Sequence, residues 1–290
     1  MKKKLLSILL SLAACSNGLW AQETEPVEET QSRPVTSSIL LGVGKGDVRD
    51  TYLTPLLYKG TALDIRFERT RLMRSMKWEN QQLIDGEMMF GADDKSDNSS
   101  AHMGRFRYRY AMHRLLWSPS LSSNTKTTFA LGWVAGLDLG FNYNLKMAAS
   151  NNPATVRYTT NGGVSAMARH IFPLRGKKCG MTLQVQAPLL GWALVPEYGA
   201  SYYETFYLKH VDHNVHFTSL HNQQDIDVRL TADVPFTVIP GIRYSRSALR
   251  LGMMYHRETM DINKIITRQQ SLLFVFGWTW QYSPQRYSAR

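Results

Sequence analysis

Between Thr127 and Leu145 the sequence alternates without a break. Phe129, Leu131, Trp133, Ala135, Leu137, Leu139, Phe141 and Tyr143 occupy one set of alternate positions, and Thr128, Ala130, Gly132, Val134, Gly136, Asp138, Gly140 and Asn142 the other. A period of two sends neighbouring side chains to opposite faces of a strand, whereas an α-helix repeats every 3.6 residues. Soluble strands usually stop after about 5–6 residues. A tilted strand crossing a bilayer needs about 9–11, and this segment meets that length.

The same rule holds elsewhere. Leu272, Phe274, Phe276, Trp278, Trp280 and Tyr282 share one face near the C-terminus. In 224–244, Ile226, Val228, Leu230, Ala232, Val234, Phe236 and Val238 oppose Asp227, Arg229, Thr231, Asp233 and Thr237, with a bend expected at Pro235 and Pro240. Segment 104–117 sets Phe106, Tyr108, Tyr110 and Met112 against Arg105, Arg107, Arg109 and His113, and 60–78 sets Leu63, Ile65 and Phe67 against Asp64, Arg66 and Glu68. Shorter strands are expected at 37–44, 161–172, 179–190 and 248–258. These make nine. A tenth is expected at Ser201–Lys209, because single-chain bacterial barrels have even strand numbers. The expected fold is therefore all-β, an antiparallel transmembrane β-barrel of about ten strands, eight to twelve being allowed.

Composition fits this reading. The 290 residues are 43% hydrophobic and 20% charged, with a mean hydropathy of −0.29. That is too polar for a bundle of membrane helices, but a barrel averages a lipid face with a lumen face. The 7 Trp, 14 Tyr and 11 Phe argue against a disordered chain. They also gather near strand ends, as interfacial girdles do. A soluble β-sandwich alternates too, with shorter strands that bury their apolar face against a second sheet.

Residues 1–21 read as an export signal: Lys2, Lys3 and Lys4 precede the apolar run Leu5–Ala14, and Leu19-Trp20-Ala21 is a cleavage site. Leu12-Ala13-Ala14-Cys15 offers the rival reading of a lipobox with lipidation at Cys15. Ordinary cleavage is preferred, because the small-residue signal continues to Ala21. Residues 22–36 are acidic and carry prolines, and read as a flexible lead-in to a barrel domain at 37–290. Removal of the leader takes the formal charge from +11 to +8. It also leaves Cys179 as the only thiol, which excludes an intramolecular disulfide and a cysteine-based zinc site. A basic chain suggests a nucleic-acid partner, and export argues against one.

Connections are expected to alternate. The short ones, periplasmic, are 118–126, 173–178 and 245–247; the long ones, extracellular, are 79–103, 146–160, 191–223 and 259–267, with Asp93–Ser100 the plainest loop signal.

Leu41-Gly42-Val43-Gly44, Asp50-Thr51-Tyr52-Leu53-Thr54-Pro55 and Tyr58-Lys59-Gly60 resemble the opening of an uncharacterised family of Gram-negative outer-membrane β-barrels. Pro196-Glu197-Tyr198-Gly199 and His216–Asn222 resemble it as well. The resemblance implies a fold and a location, and no established activity. One departure is that eight residues follow Tyr282, where outer-membrane proteins commonly end on an aromatic.

Candidate chemistry is sparse. His210, His213, His216 and His221 lie close in sequence, but their spacing matches no metal motif and reads as a polar loop. His216 and Ser219 invite a lipolytic reading, yet no Gly-x-Ser-x-Gly is present. The expected site is instead structural: a lumen-facing charge network of Asp64, Arg66, Glu68, Arg105, Arg107, Arg109, Asp138 and Arg229, with the first three meeting the Arg105–Arg109 row on a neighbouring strand. Phe129, Trp133, Phe141, Tyr143, Phe274, Phe276, Trp278 and Trp280 are expected to face lipid. No catalytic residue, cofactor or metal is expected. The expected role is structural, adhesive or ligand-binding through the extracellular loops, and the expected partners are outer-membrane lipid, the barrel-insertion machinery and an extracellular ligand. The alternatives are a narrow pore or transport accessory, a lipolytic barrel, and a soluble or lipid-anchored periplasmic β-protein.

Overall fold

A computed structural model describes residues 35–73, 77–93, 100–118, 120–122, 125–145, 154–197, 207, 214–242 and 246–282. The strands in chain order are β1 (Val35–Asp50), β2 (Thr54–Leu72), β3 (Trp78–Asp93), β4 (Ser100–Trp117), β5 (Ser120–Ser122), β6 (Thr125–Asn144), β7 (Ala154–Leu174), β8 (Lys177–Leu194), β9 (Val215–Ser219), β10 (Gln223–Pro235), β11 (Ser247–Ile262) and β12 (Ile265–Tyr282). Ten of them are long, and all pairings are antiparallel. The sheet runs β10-β11-β12-β1-β2-β3-β4-β6-β7-β8, and β10 then pairs with β8 to close it. Closure leaves no long strand with an unpaired edge. The short β5 only lengthens the β4–β6 hairpin.

β9 continues the line of β10 along β8. Leu190 pairs with Ser219 and Gln186 with Asp227, so eight steps on one strand face four on the other. The surplus is taken up by the turn at 220–222. Beyond Pro235 the chain leaves the sheet in a 3-10 turn, Phe236–Val238, where the two prolines place a bend.

Local sequence explains the tight corners. Arg175-Gly176 and Asn263-Lys264 are two-residue hairpin turns with positive φ at both positions (49° and 73°, 54° and 64°), the twist that matches paired strands. Gly104 faces Phe141 across the β4–β6 pair. A Cβ there would lie 1.9 Å from the Phe141 ring, which instead covers the glycine.

The alternation sorts the side chains. Ile39, Leu41 and Val43 on β1, Leu63, Ile65 and Phe67 on β2, and Leu272, Phe274, Phe276 and Trp278 on β12 point outward and are exposed. Their inward neighbours are buried. Two apolar clusters lie inside. One joins Val48, Tyr58, Ala62, Met89, Met103, Met254, Leu273 and Val275; the other, with Tyr52, Leu53, Val195, Met260, Ile262 and Ile265, lies at the end holding the β1–β2 and β11–β12 turns.

Several expected boundaries change. The loop expected at 79–103 is largely β3, which is the strand the count of nine lacked. Ser201–Lys209 lies outside the described residues except Tyr207. The loop expected at 259–267 reduces to the turn Asn263-Lys264, and strand β7 starts at Ala154, inside the expected loop 146–160. β1 takes up Val35 and Thr36 from the span read as lead-in.

Candidate functional site: an ionic layer across the lumen

Inward positions on β2, β3, β4, β6 and β10 carry charge at mid-height, β7 and β11 add the polar Asn161 and His256, and the side chains meet across the barrel. Arg107 on β4 is the hub. Its Nε donates to Asp85 Oδ2 on β3 at 2.9 Å, and its Nη1 donates to Asp227 Oδ2 on β10 at 3.2 Å and to His256 Nδ1 on β11 at 2.9 Å. A guanidinium only donates, so His256 Nδ1 accepts and the imidazole is neutral. Arg109, next inward on β4, donates to Asn161 Oδ1 at 2.6 Å, to Asp138 Oδ2 at 3.0 Å and to Asp225 Oδ2 at 3.0 Å, on β7, β6 and β10. Arg105 Nη2 reaches Glu87 Oε2 at 2.5 Å. Arg66 lies 3.6 Å from both Asp64 and Asp85.

A second tier lies nearer the chain termini. Arg250 on β11 forks onto Asp233 (2.6 and 2.9 Å) and also reaches Glu68 Oε2 on β2 at 3.0 Å. Arg169 on β7 forks onto Glu79 on β3 at 3.0 and 2.9 Å. Gln81 and Gln184 exchange amide hydrogen bonds between β3 and β8, at 3.1 and 2.7 Å. Gln81 also donates to Glu68, and Arg229 donates to Gln184 at 2.8 Å.

Burial makes these pairs consequential. Arg66 is 1% exposed, Arg107 2%, Asp85 1% and Glu87 1%. An isolated buried ion costs several kcal/mol, so such groups persist only when paired. β4 and β11 lie on opposite walls of the closed sheet. The Arg107–His256 bond therefore spans the lumen, and the ionic layer is a partition. On one side of it is the apolar cluster around Met260 and Ile262. On the other is a vestibule of about 550 Å³, floored by Arg66, Glu68, Gln81, Gln184 and Arg229 and rimmed by Leu72, Lys126, Lys178 and Gln281. Such filling is expected of a small barrel, whose interior side chains suffice to occupy it.

Residues 5–283 match a family described as "Protein of unknown function (DUF3316)". The chain belongs to that family. No curated protein matches the sequence. Among solved structures it is similar to the outer membrane protease OmpT of Escherichia coli, at 9% identity and a TM-score of 0.45, covering 90% of this chain and 100% of that one. It is also similar to the translocator domain of the autotransporter NalP from Neisseria meningitidis (7% identity, TM-score 0.36, 96% of each chain). A third likeness is to an outer membrane channel from Pseudomonas putida F1 (8%, TM-score 0.34, 90% and 100%). Nothing about the activity of this chain follows from these likenesses.

All eight residues of the expected charge network point inward. Their partners differ from expectation. β2 neighbours β3, not β4, so Asp64, Arg66 and Glu68 do not meet the arginine row directly. Asp85 and Glu87 on β3 stand between, and Asp85 bridges Arg66 to Arg107. Of the eight aromatics expected to face lipid, Phe129, Trp133, Phe141, Phe274, Phe276 and Trp278 are outward and exposed, while Tyr143 and Trp280 are outward and half-buried. Sequence reasoning missed Glu79, Asp85, Glu87, Arg169, Asp225, Arg250 and His256. A signal existed in β3, where Glu79, Gln81, Asp85 and Glu87 share one alternate set.

Of the expected histidine cluster, His210 and His213 lie outside the described residues. No group able to hold a metal ion occurs among the described residues. Ser219 Oγ lies 2.5 Å from His221 Nδ1, not against His216, on an exposed turn where Asn222 also caps the Ser219 amide.

Proposed function

We propose that the chain is an exported outer-membrane protein whose sealed barrel acts as a scaffold, displaying its connections at the cell surface for adhesion or ligand binding. The observation that carries this is the inversion of the side chains. Large apolar residues cover the outside of the wall, while arginines and carboxylates fill the inside. In water that arrangement exposes apolar surface far beyond the few hundred Å² usual for a soluble monomer; in a bilayer both faces are satisfied. No helix among the described residues is long and apolar enough to cross a membrane.

The ten long strands bring both described ends, Val35 and Tyr282, to one side. The longest connection, from Leu194 to Val215, emerges on the other. Longer loops are extracellular in such barrels, which orients the chain with its termini in the periplasm. The partners on this reading are outer-membrane lipid, the barrel-insertion machinery and an extracellular ligand. Export runs through residues 1–21. No catalytic role is proposed, since the Ser219–His221 contact is local to one turn. A second reading, a ligand-holding or transport accessory, is favoured by the vestibule on the periplasmic side.

The test is an epitope inserted between Asn151 and Asn152, in the β6–β7 connection, compared with one inserted between Arg175 and Gly176. Antibody labels the first on intact cells and the second only after the outer membrane is opened. Equal labelling of both on intact cells, or recovery of the protein in the soluble periplasmic fraction, contradicts the reading.

A further inference from the structure

On four adjacent strands the outward face changes character along one line. β1 reads Ile39, Leu41, Val43, then Lys45, Asp47 and Arg49. β2 reads Phe67, Ile65, Leu63, then Thr61 and Lys59. β12 reads Phe276, Phe274, Leu272, then Gln270 and Arg268, and β11 reads Met253, Tyr255, then Arg257. The pairing aligns these positions into rungs. Arg257, Gln270, Asp47 and Lys59 form one, and Thr259, Arg268, Arg49 and Leu57 the next. With Lys45 on the rung before, five cations and one carboxylate occupy a patch of roughly 14 by 14 Å, from strand spacing and rise.

Two features of the patch call for an anion. Arg49 and Arg268 are direct cross-strand partners on the same exposed face, and like charges placed so oppose pairing. An anion between them reverses the sign of that interaction. Beside them, Lys45, Asp47, Lys59, Tyr255 and Gln270 border a hollow of about 390 Å³ in the outer wall. The patch also abuts the apolar band, on the side of the barrel oriented above toward the cell exterior.

We propose that this patch is a docking site for the phosphorylated headgroup of an outer-leaflet glycolipid, whose acyl chains lie along Val43, Leu63, Leu272 and Phe274. A ligand carrying phosphate and hydrocarbon together matches both halves of the boundary; a soluble anion matches only one. The assignment rests on the membrane reading of the barrel.

The test reconstitutes the full-length mature protein in phosphatidylcholine nanodiscs doped with bisphosphorylated lipid A or its dephosphorylated form, and reads bound lipid by native mass spectrometry. The expected preference for the phosphorylated form is on the order of tenfold to a hundredfold. Arg49→Gln/Arg257→Gln/Arg268→Gln abolishes the preference. Arg69→Gln/Arg71→Gln/Arg114→Gln, with equal charge loss at the opposite end of the wall, keeps it. Heat-modifiable gel migration confirms that each variant is folded. Equal retention of both lipids, an unchanged preference in the first triple variant, or displacement of lipid A by equimolar soluble polyphosphate overturns the proposal. Failure of the wild type to insert into phosphatidylcholine at all contradicts the membrane reading instead.

Discussion

Arg107 shows how much a single inward side chain can hold. It joins β3, β4, β10 and β11 through Asp85, Asp227 and His256, so its loss takes the hydrogen-bonding cation from two buried carboxylates at once and leaves Asp85 only Arg66 at 3.6 Å and Asp227 only Arg229 at 3.3 Å. Arg107→Ala is expected to lower unfolding stability by about 3–5 kcal/mol, the usual cost of breaking a buried pair from one side. The midpoint of urea unfolding in lipid vesicles reads this. Arg107→Lys recovers only part, because one ammonium cannot reproduce the planar fork that reaches three partners. A lysine variant as stable as wild type would show that charge alone, not geometry, holds the layer. Asp227→Asn is expected to cost less than Arg107→Ala, since an amide oxygen still accepts from Nη1 and Arg107 keeps Asp85.

Elements built on unbroken alternation were readable from the sequence; others were hidden for physical reasons. β6 and β12 present apolar outward residues at nearly every second position. β3 does not: after Trp78 its outward set reads Asn80, Gln82, Ile84 and Gly86, so the wall-facing pattern is broken at three of eight positions and the strand passes for a loop. The β11–β12 corner was hidden because Asn263-Lys264 lacks the glycine that marks such turns. Lys264 holds φ at 64°, a conformation glycine adopts freely, and Lys264→Gly is expected to raise stability by about 1 kcal/mol. An unchanged or lowered urea midpoint would contradict that. Gly104→Ala drives a Cβ into the Phe141 ring and is expected to cost about 1–3 kcal/mol. Phe141→Ala in the same chain recovers part of that loss, measured against Phe141→Ala alone.

At the scale of the molecule, closure decides which charges meet. The inward faces of β2, β4, β6 and β10 were legible as polar and charged, but their partners were not. Pairing depends on strand order and stagger, and one unrecognised strand moves every cross-lumen neighbour. With β3 in place, Arg107 and Arg109 reach β10 and the lumen is partitioned between the vestibule and the apolar cluster at the end holding the β1–β2 and β11–β12 turns. A filled barrel of this size has no path for bulk solutes, which is the centre of the scaffold reading. The direct test is single-channel recording of the purified protein in planar bilayers. The account predicts no stable conductance from the wild type, and steps appearing only when Arg107 and Arg109 are both replaced by alanine. Steady single-channel steps from the wild-type protein would contradict it.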